Sequence, residues 1–421
     1  MQIVFSLLGM LALLAIAYGL SMNRKSINFR TILGAFAIQF IIGAFVLFIP
    51  IGKDVLQYVS TAINAVLGFS ADGISFLFGG LVSDKMFEVF GGGGFVFALR
   101  VLPVIVFFSA LVSVLYYLGI MQLFIRVLGG GLQKILGTSK FESMSATANI
   151  FVGQTEAPLV IAPYIKHLTR SELFAVMCGG LASIAGTVLG GFAAMGVNME
   201  YLIAASFMAA PGGLLFAKIL LPESENVSDL EAKRNGKNIE ESLQVAKPSN
   251  VIDAAAEGAS NGVALAINVG GMLLAFIALI ALLNGILGLL GGLVGLPNLS
   301  LELMLGYLFS PLAVIIGIPL EEAFDAATFI GQKLVLNEFV AYVNFTEFLV
   351  NNPLSERTTA IITFALCGFA NFSAAAMLLG GLGAMAKERR SEISGLCMYA
   401  ILAGTLSNLM SATIAGLFLS L

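Results

Sequence analysis

Apolar runs about twenty residues long, each closed by charge or proline, recur from one end of this chain to the other. Residues 2–21 end at Asn23-Arg24-Lys25, and residues 31–50 end at Pro50-Ile51-Gly52-Lys53. About twenty helical residues match the roughly 30 Å hydrocarbon core of a bilayer. Lipid offers no partner to a bare N–H or C=O, so such runs cross it as helices. Only 11% of the 421 residues are charged, against about 25% in soluble domains. The expected class is therefore an all-α polytopic membrane protein. Further spans read at 95–125, 172–197, 201–220, 251–290, 358–384 and 392–419, which makes eight. Residues 53–67 have apolar positions at helical spacing but begin with Lys53 and Asp54, and they read as an interfacial helix.

Two stretches break the apolar pattern. Asn149-Ile150-Phe151-Val152-Gly153-Gln154-Thr155-Glu156-Ala157-Pro158 packs amides, a hydroxyl and a carboxylate between a glycine and a proline, so no regular helix runs through it. Residues 319–350 hold Glu321, Glu322, Asp325, Lys333, Asn337 and Glu338. In lipid, broken backbone and buried acid are tolerated only against protein or a water-filled cavity. Both stretches read as re-entrant helical hairpins, at 142–165 and 319–350, lining a binding site near the midplane.

The lysine and arginine bias orients the chain. Loops 23–30, 126–140, 166–170, 233–247 and 387–390 are basic, whereas 197–200 and 296–302 carry no lysine or arginine. Placing the basic loops in the cytoplasm puts both termini outside and makes the two hairpins enter from opposite faces. That is the pattern of an inverted repeat. Cys178-Gly179 follows the first hairpin and Cys367-Gly368 the second, and each reaches a Gly-Gly pair (190–191 and 380–381) about 13 residues on. The organisation expected is N-terminal scaffold helices over 1–92, a first repeat over 93–221, a charged linker over 222–250 and a second repeat over 251–421. The glycine run 91–94 reads as a connector, since no GK[ST] follows it.

Glu156 and Glu338 are the acids set closest to other polar groups. An acid inside a membrane protein is costly and usually functional; the alternative is a structural acid held by backbone donors. Gln154 and Thr155 supply the donors and acceptors needed to read a polar ring edge. Asn337, Glu338, Asn371 and Ser373 could grip vicinal hydroxyls, and Phe369 could pack on a flat base. Asn149 and Ser183, with carbonyls freed near Val152 and Ile184, are oxygen donors suited to a hard monovalent cation such as Na⁺. From spacing alone, Asn and Ser in membrane helices more often just bond neighbouring helices, and Asn149 and Ser183 fit that reading too.

Other functions have little support. Cys178, Cys367 and Cys397 sit in apolar stretches without metal spacing, and His167 is the lone histidine, in a basic loop. No basic, aromatic-interleaved patch suggests nucleic acid. An intramembrane enzyme would need a nucleophile–base pair, and none stands out; a channel is the other rival. The first helix has neither a basic n-region nor a small-residue cleavage site and reads as a span rather than a signal peptide.

The runs NIFVGQTEAP (Asn149–Pro158), NEFVA (Asn337–Ala341), CGFANFS (Cys367–Ser373), FLFGGLVSDKMFEVFGGGG (Phe76–Gly94) and GTLSNLMSA (Gly404–Ala412) resemble the concentrative nucleoside transporter family. The similarity covers nearly the whole chain outside the linker and is greatest to bacterial, Na⁺-coupled members. It implies a homotrimer in the bacterial inner membrane whose transport domain moves elevator-fashion, importing nucleosides such as uridine, cytidine or adenosine by Na⁺ symport without an organic cofactor. It further implies that Gln154, Thr155, Glu156 and Val188 contact the nucleobase. Glu338, Asn371 and a nearby serine would hold the ribose, with Phe369 close by, and Asn149, Val152, Ser183 and Ile184 would bind Na⁺. Ala374 stands where the family commonly has a serine, and Ser373 remains beside it. The expectation is that Ala374→Ser adds a ribose contact.

Overall fold

The computed structural model describes residues 2–90, 94–225, 248–293, 295–296 and 298–421. Every regular element among them is helical. Three stretches form a buried centre: Arg170–Ala194, Met199–Leu220 and the part of Lys387–Phe418 from Ala400 onward are almost wholly enclosed by protein. Around them lie helices that keep one narrow inner stripe. Gln2–Gly19 buries Ser6, Gly9, Met10, Leu13 and Ala17, and Phe29–Leu47 buries Thr31, Ala35, Gln39, Gly43 and Leu47. These i, i+3/i+4 stripes pack on the central helices, while the remaining faces are apolar and outward, as a bilayer solvent requires.

Val251–Leu293 is one helix of 43 residues, about 65 Å long at 1.5 Å per residue, or roughly twice the hydrocarbon thickness. Its buried stripe is Ala254, Gly258, Gly262, Ala266, Val269 and Leu273. The small residues let its backbone close on Leu102–Tyr117. A Cβ at Gly262 would come within 2.7 Å of Val106 Cα, and one at Gly258 within 2.8 Å of Ala110 Cα. Association through small residues is how helices pack where lipid removes the hydrophobic drive.

Two units repeat the same order of elements. In the first, Lys140–Ala148 turns through 149–156 into the 3-10 segment Ala157–His167. A helix broken at Ser183–Ala185 follows (Arg170–Ala182, Gly186–Ala194), and then Met199–Leu220. In the second, Leu320–Val335 turns at Leu336-Asn337 into Glu338–Asn351. A helix broken at Cys367–Asn371 follows (Glu356–Leu366, Phe372–Met385), and then Arg390–Phe418. The two helix–turn–helix stretches run over Lys140–His167 and Leu320–Asn351. The return limb of the first is 3-10 rather than α, with Pro158 in its first turn, where a missing N–H costs nothing. Ser139 with Glu142, and Thr169 with Glu172, form capping boxes that start Lys140–Ala148 and Arg170–Ala182. At the foot of the first hairpin, buried Glu142 pairs with Lys218 of the Met199–Leu220 helix.

Four expectations need correction. The long helix of the first repeat, expected over 95–125, stops at Tyr117 because Gly119 takes the left-handed φ of +79°. The stretch 126–140, read as a basic loop, is mostly the separate helix Ile120–Leu136. Its strong amphipathic pattern was masked by Arg126, Lys134 and a glycine triplet. Spans 172–197 and 358–384 are each two helices, since the polar breaks that mark the site also interrupt the ladder. Among the described residues eight segments could cross a membrane by length and apolarity, but the set differs from the expected one. Pro50–Phe90, which contains the helix expected at the interface, qualifies, and the broken 356–385 pair does not. Of the glycine run 91–94 only Gly94 is described, and most of the 222–250 linker lies outside the described residues. The three cysteines are free and buried.

Candidate binding site

The two helix breaks meet in the middle of the buried centre. Phe369 N–H in the second break donates to Ser183 C=O in the first, at 3.1 Å. Asn408 of the last helix donates through Nδ2 to Ala182 C=O at 2.6 Å and to Cys367 C=O at 2.9 Å. Broken helices leave carbonyls without a ladder partner, and here a neighbour's amide and the other break supply the donors.

The tip of each hairpin rests against this crossing. For the first, Gly186 N–H donates to Phe151 C=O at 3.1 Å, tying the tip to the chain just past the Ser183 break. Asn149 caps Lys140–Ala148 and is fully buried, and its Nδ2 donates to Ser145 C=O at 2.9 Å. Its Oδ1 has no hydrogen-bond partner, an expensive state for a buried acceptor. Gly179 and Gly180 give it room, since a Cβ at either would lie within 4 Å of its side chain. Ser183 is buried and its hydroxyl donates to Gly179 C=O at 2.9 Å, which leaves oxygen lone pairs available. Val152 and Ile184 are buried, and their carbonyls lie outside any helix. The donors are all oxygen and uncharged, which fits a hard monovalent cation.

The second tip carries Glu338 on the first turn of its return limb, 2% exposed. Asn371 Nδ2 donates to its Oε2 at 2.7 Å. Asn371 is also the N-cap of Phe372–Met385, where its Oδ1 accepts from Ala374 N–H at 2.9 Å and from Ser373 Oγ at 2.7 Å. The carboxylate therefore sits at the positive end of a helix dipole. The Nδ2 of Asn337 beside it is buried and unpartnered. Phe369 is buried one position before Ala370-Asn371.

Phe372–Met385 is the wall the two hairpins share. Gln154, 4% exposed, points Nε2 at Met377 Sδ (3.8 Å), and its Oε1 is unpartnered. Thr155 packs on Gly381, where a Cβ would lie 2.9 Å from Thr155 Cγ2. Positions 377 and 381 are one turn apart on the helix that Asn371 caps. Gln154, Thr155, Asn371, Ser373 and Glu338 thus gather around one helix. Val188 is buried in the first turn after the first break. From the same helix Phe192 stacks on Phe339 (4.7 Å) and Tyr342 (4.6 Å) of the second hairpin. Glu156 stands apart from the buried set. It is exposed at the hairpin tip, its carboxylate lies against Gly153, and Tyr116 is within its electrostatic reach.

Four residues in this region carry no assigned role in the sequence reading: Lys333, Asn408, Met377 and Tyr116. Asn408 lies inside the GTLSNLMSA run, and an amide in an otherwise apolar helix is the signal that marks it. Met377 and Tyr116 give no such signal, because only packing brings them to the hairpin.

Comparison with known proteins agrees along the whole chain. Residues 8–81 match the family model for the Na⁺ dependent nucleoside transporter N-terminus, 98–199 the model for nucleoside recognition, and 201–416 the model for the Na⁺ dependent nucleoside transporter C-terminus. Nucleoside permease NupC of Helicobacter pylori is 53% identical, covering 99% of this chain and 98% of its own. The putative nucleoside permease NupX of Escherichia coli is 47% identical over all of both chains. The solved structure of CNTnw in an inward-facing substrate-bound state is 60% identical with a TM-score of 0.94, covering 100% of this chain and 98% of its own. An outward-facing structure of a CNTnw variant, with the same identity and coverage, has a TM-score of 0.96. The relatives are transporters and not enzymes, and the chain belongs to the Na⁺ dependent, concentrative nucleoside transporter family of multi-pass membrane proteins.

Proposed function

We propose that this protein imports nucleosides across the bacterial inner membrane by symport with Na⁺. The observation that carries the reading is the convergence of both hairpin tips on Phe372–Met385, one bringing Gln154 and Thr155, the other Glu338 on Asn371. An amide and a hydroxyl facing an apolar Met suit the edge and face of a base. A carboxylate with amides and a hydroxyl suits the vicinal hydroxyls of ribose. Glu156 and Val188 flank the base side, and Phe369 and Ser373 the sugar side.

Na⁺ would be held by Asn149 Oδ1, the Ser183 hydroxyl and the carbonyls of Val152 and Ile184. Binding there would fix the first hairpin tip against the Ser183 break, so that the nucleoside meets a formed site. Each ligand then raises the affinity for the other by the same factor. The hairpins would be re-entrant from opposite faces with both termini periplasmic, as the basic loops direct. The small-residue pairing of Leu102–Tyr117 with Val251–Leu293, together with the N-terminal helices, would form a scaffold for a homotrimer. The two repeats would move against it as an elevator. Uphill uptake of labelled uridine into proteoliposomes, driven by an inward Na⁺ gradient and abolished by collapsing it, is the expected result. Equilibration without accumulation would indicate a channel instead.

A further inference from the structure

Lys333 is 1% exposed, inside the first limb of the second hairpin, and its Nζ donates to Asn408 Oδ1 at 2.9 Å. A buried ammonium is costly unless it is paired and hydrogen-bonded, and neither base nor ribose recognition above uses it. Asn408, 2% exposed, is its partner and the shared donor to Ala182 C=O and Cys367 C=O. Those carbonyls end the first halves of the two broken helices. The next residue after Ala182 is Ser183, and four residues after Cys367 comes Asn371.

We propose that Lys333 and Asn408 are a positioning pair that couples the cation site to the nucleoside site; this rests on the Na⁺-symport reading above. An ammonium has donors only, so it tolerates only the oxygen of the Asn408 amide facing it. That turns the NH₂ toward both breaks and keeps one donor shared between them. Packing leaves no slack, since a Cβ at Gly368 would strike the Asn408 amide and lie 2.7 Å from Ala182 C=O. The Phe369 N–H to Ser183 C=O bond locks the same two segments. A shift of the Ser183 backbone as Na⁺ is gripped is therefore passed through the Asn408 amide to Cys367–Asn371, and so to the Glu338–Asn371 pair. The Lys333 charge itself lies within electrostatic range of Glu338, so the ammonium that orients the Asn408 amide is also felt at the nucleoside site.

The test measures a coupling factor, the ratio of uridine Kd without Na⁺ to Kd at saturating Na⁺, on the purified full chain. Allosteric coupling factors commonly fall in the range of about 5- to 150-fold. Lys333→Met and Asn408→Ser should bring the factor toward one, and Lys333→Arg, also donor-only, should restore part of it. A structural role alone would lower thermal stability and leave the ratio as it was. An unchanged factor in either folded variant overturns the proposal, as does failure of all three variants to fold. A wild type that binds uridine equally with and without Na⁺ overturns the symport reading and this proposal with it. A coupled wild type with coupled variants removes the pair alone.

Discussion

Asn371 donates from Nδ2 to the Glu338 carboxylate at 2.7 Å while its own Oδ1 caps the helix running away from them. One side chain thus joins the tip of the second hairpin to the start of the wall shared with the first. The bond is charge-assisted and enclosed, which makes it stronger and less forgiving than a surface pair. It also presents the second carboxylate oxygen of Glu338 for another donor.

Replacing Glu338 by Gln keeps the shape and the acceptor for Asn371 but removes the charge. A hydrogen bond to a charged group contributes roughly 1.5–3 kcal/mol, so uridine affinity should fall about 10- to 150-fold. Binding of uracil, which lacks ribose, should start poor and barely change. Isothermal titration of both ligands on both proteins checks this, and equal losses would count against a ribose role.

Asn149→Leu fills the same space without the unpartnered Oδ1. The Na⁺ concentration for half-maximal uridine uptake should rise at least tenfold, with insertion and thermal stability close to wild type. A variant with the wild-type Na⁺ dependence would exclude Asn149 as a cation ligand.

Ala374 is fully buried on the first turn of Phe372–Met385, and its N–H is already held by Asn371. A serine hydroxyl on a helix can bond back to the carbonyl three residues earlier, which here is that of the N-cap Asn371. Ala374→Ser is therefore expected to leave uridine affinity within about twofold, because such a hydroxyl is taken up locally. The alternative expected from the family pattern is a gain from one neutral hydrogen bond, about 0.5–1.5 kcal/mol, lost in the deoxynucleoside that lacks its partner. Binding of uridine and its 2′- and 3′-deoxy analogues separates the two.

Gly262 and Gly271 lie on the same long helix with opposite surroundings. A Cβ at Gly262 meets Val106 Cα at 2.7 Å, whereas one at Gly271 meets nothing within 4 Å. Gly262→Ala should destabilise by about 1–3 kcal/mol through overpacking against backbone. Gly271→Ala should be neutral or stabilise by up to about 1 kcal/mol, as alanine does in a helix. Thermal melts in one detergent give both values.

The all-helical membrane class was legible in the sequence, and so were the two polar interruptions around which the candidate site lies. Lipid makes the membrane reading compulsory once apolar runs reach the thickness of a bilayer, and it makes every amide or acid inside them conspicuous. Gln154, Asn149, Glu338 and Asn371 stood out for that reason, and all four are buried at the hairpin tips or helix breaks. The end of the long apolar helix at Gly119 was hidden, because a left-handed φ leaves no mark on hydropathy. That the two breaks touch, that Asn408 feeds both, and that Met377 and Gly381 receive the first hairpin is a matter of packing. Those contacts join residues tens to hundreds of positions apart. Periodicity reports which face of a helix is inward but not which neighbour it meets, and only packing supplies the partner.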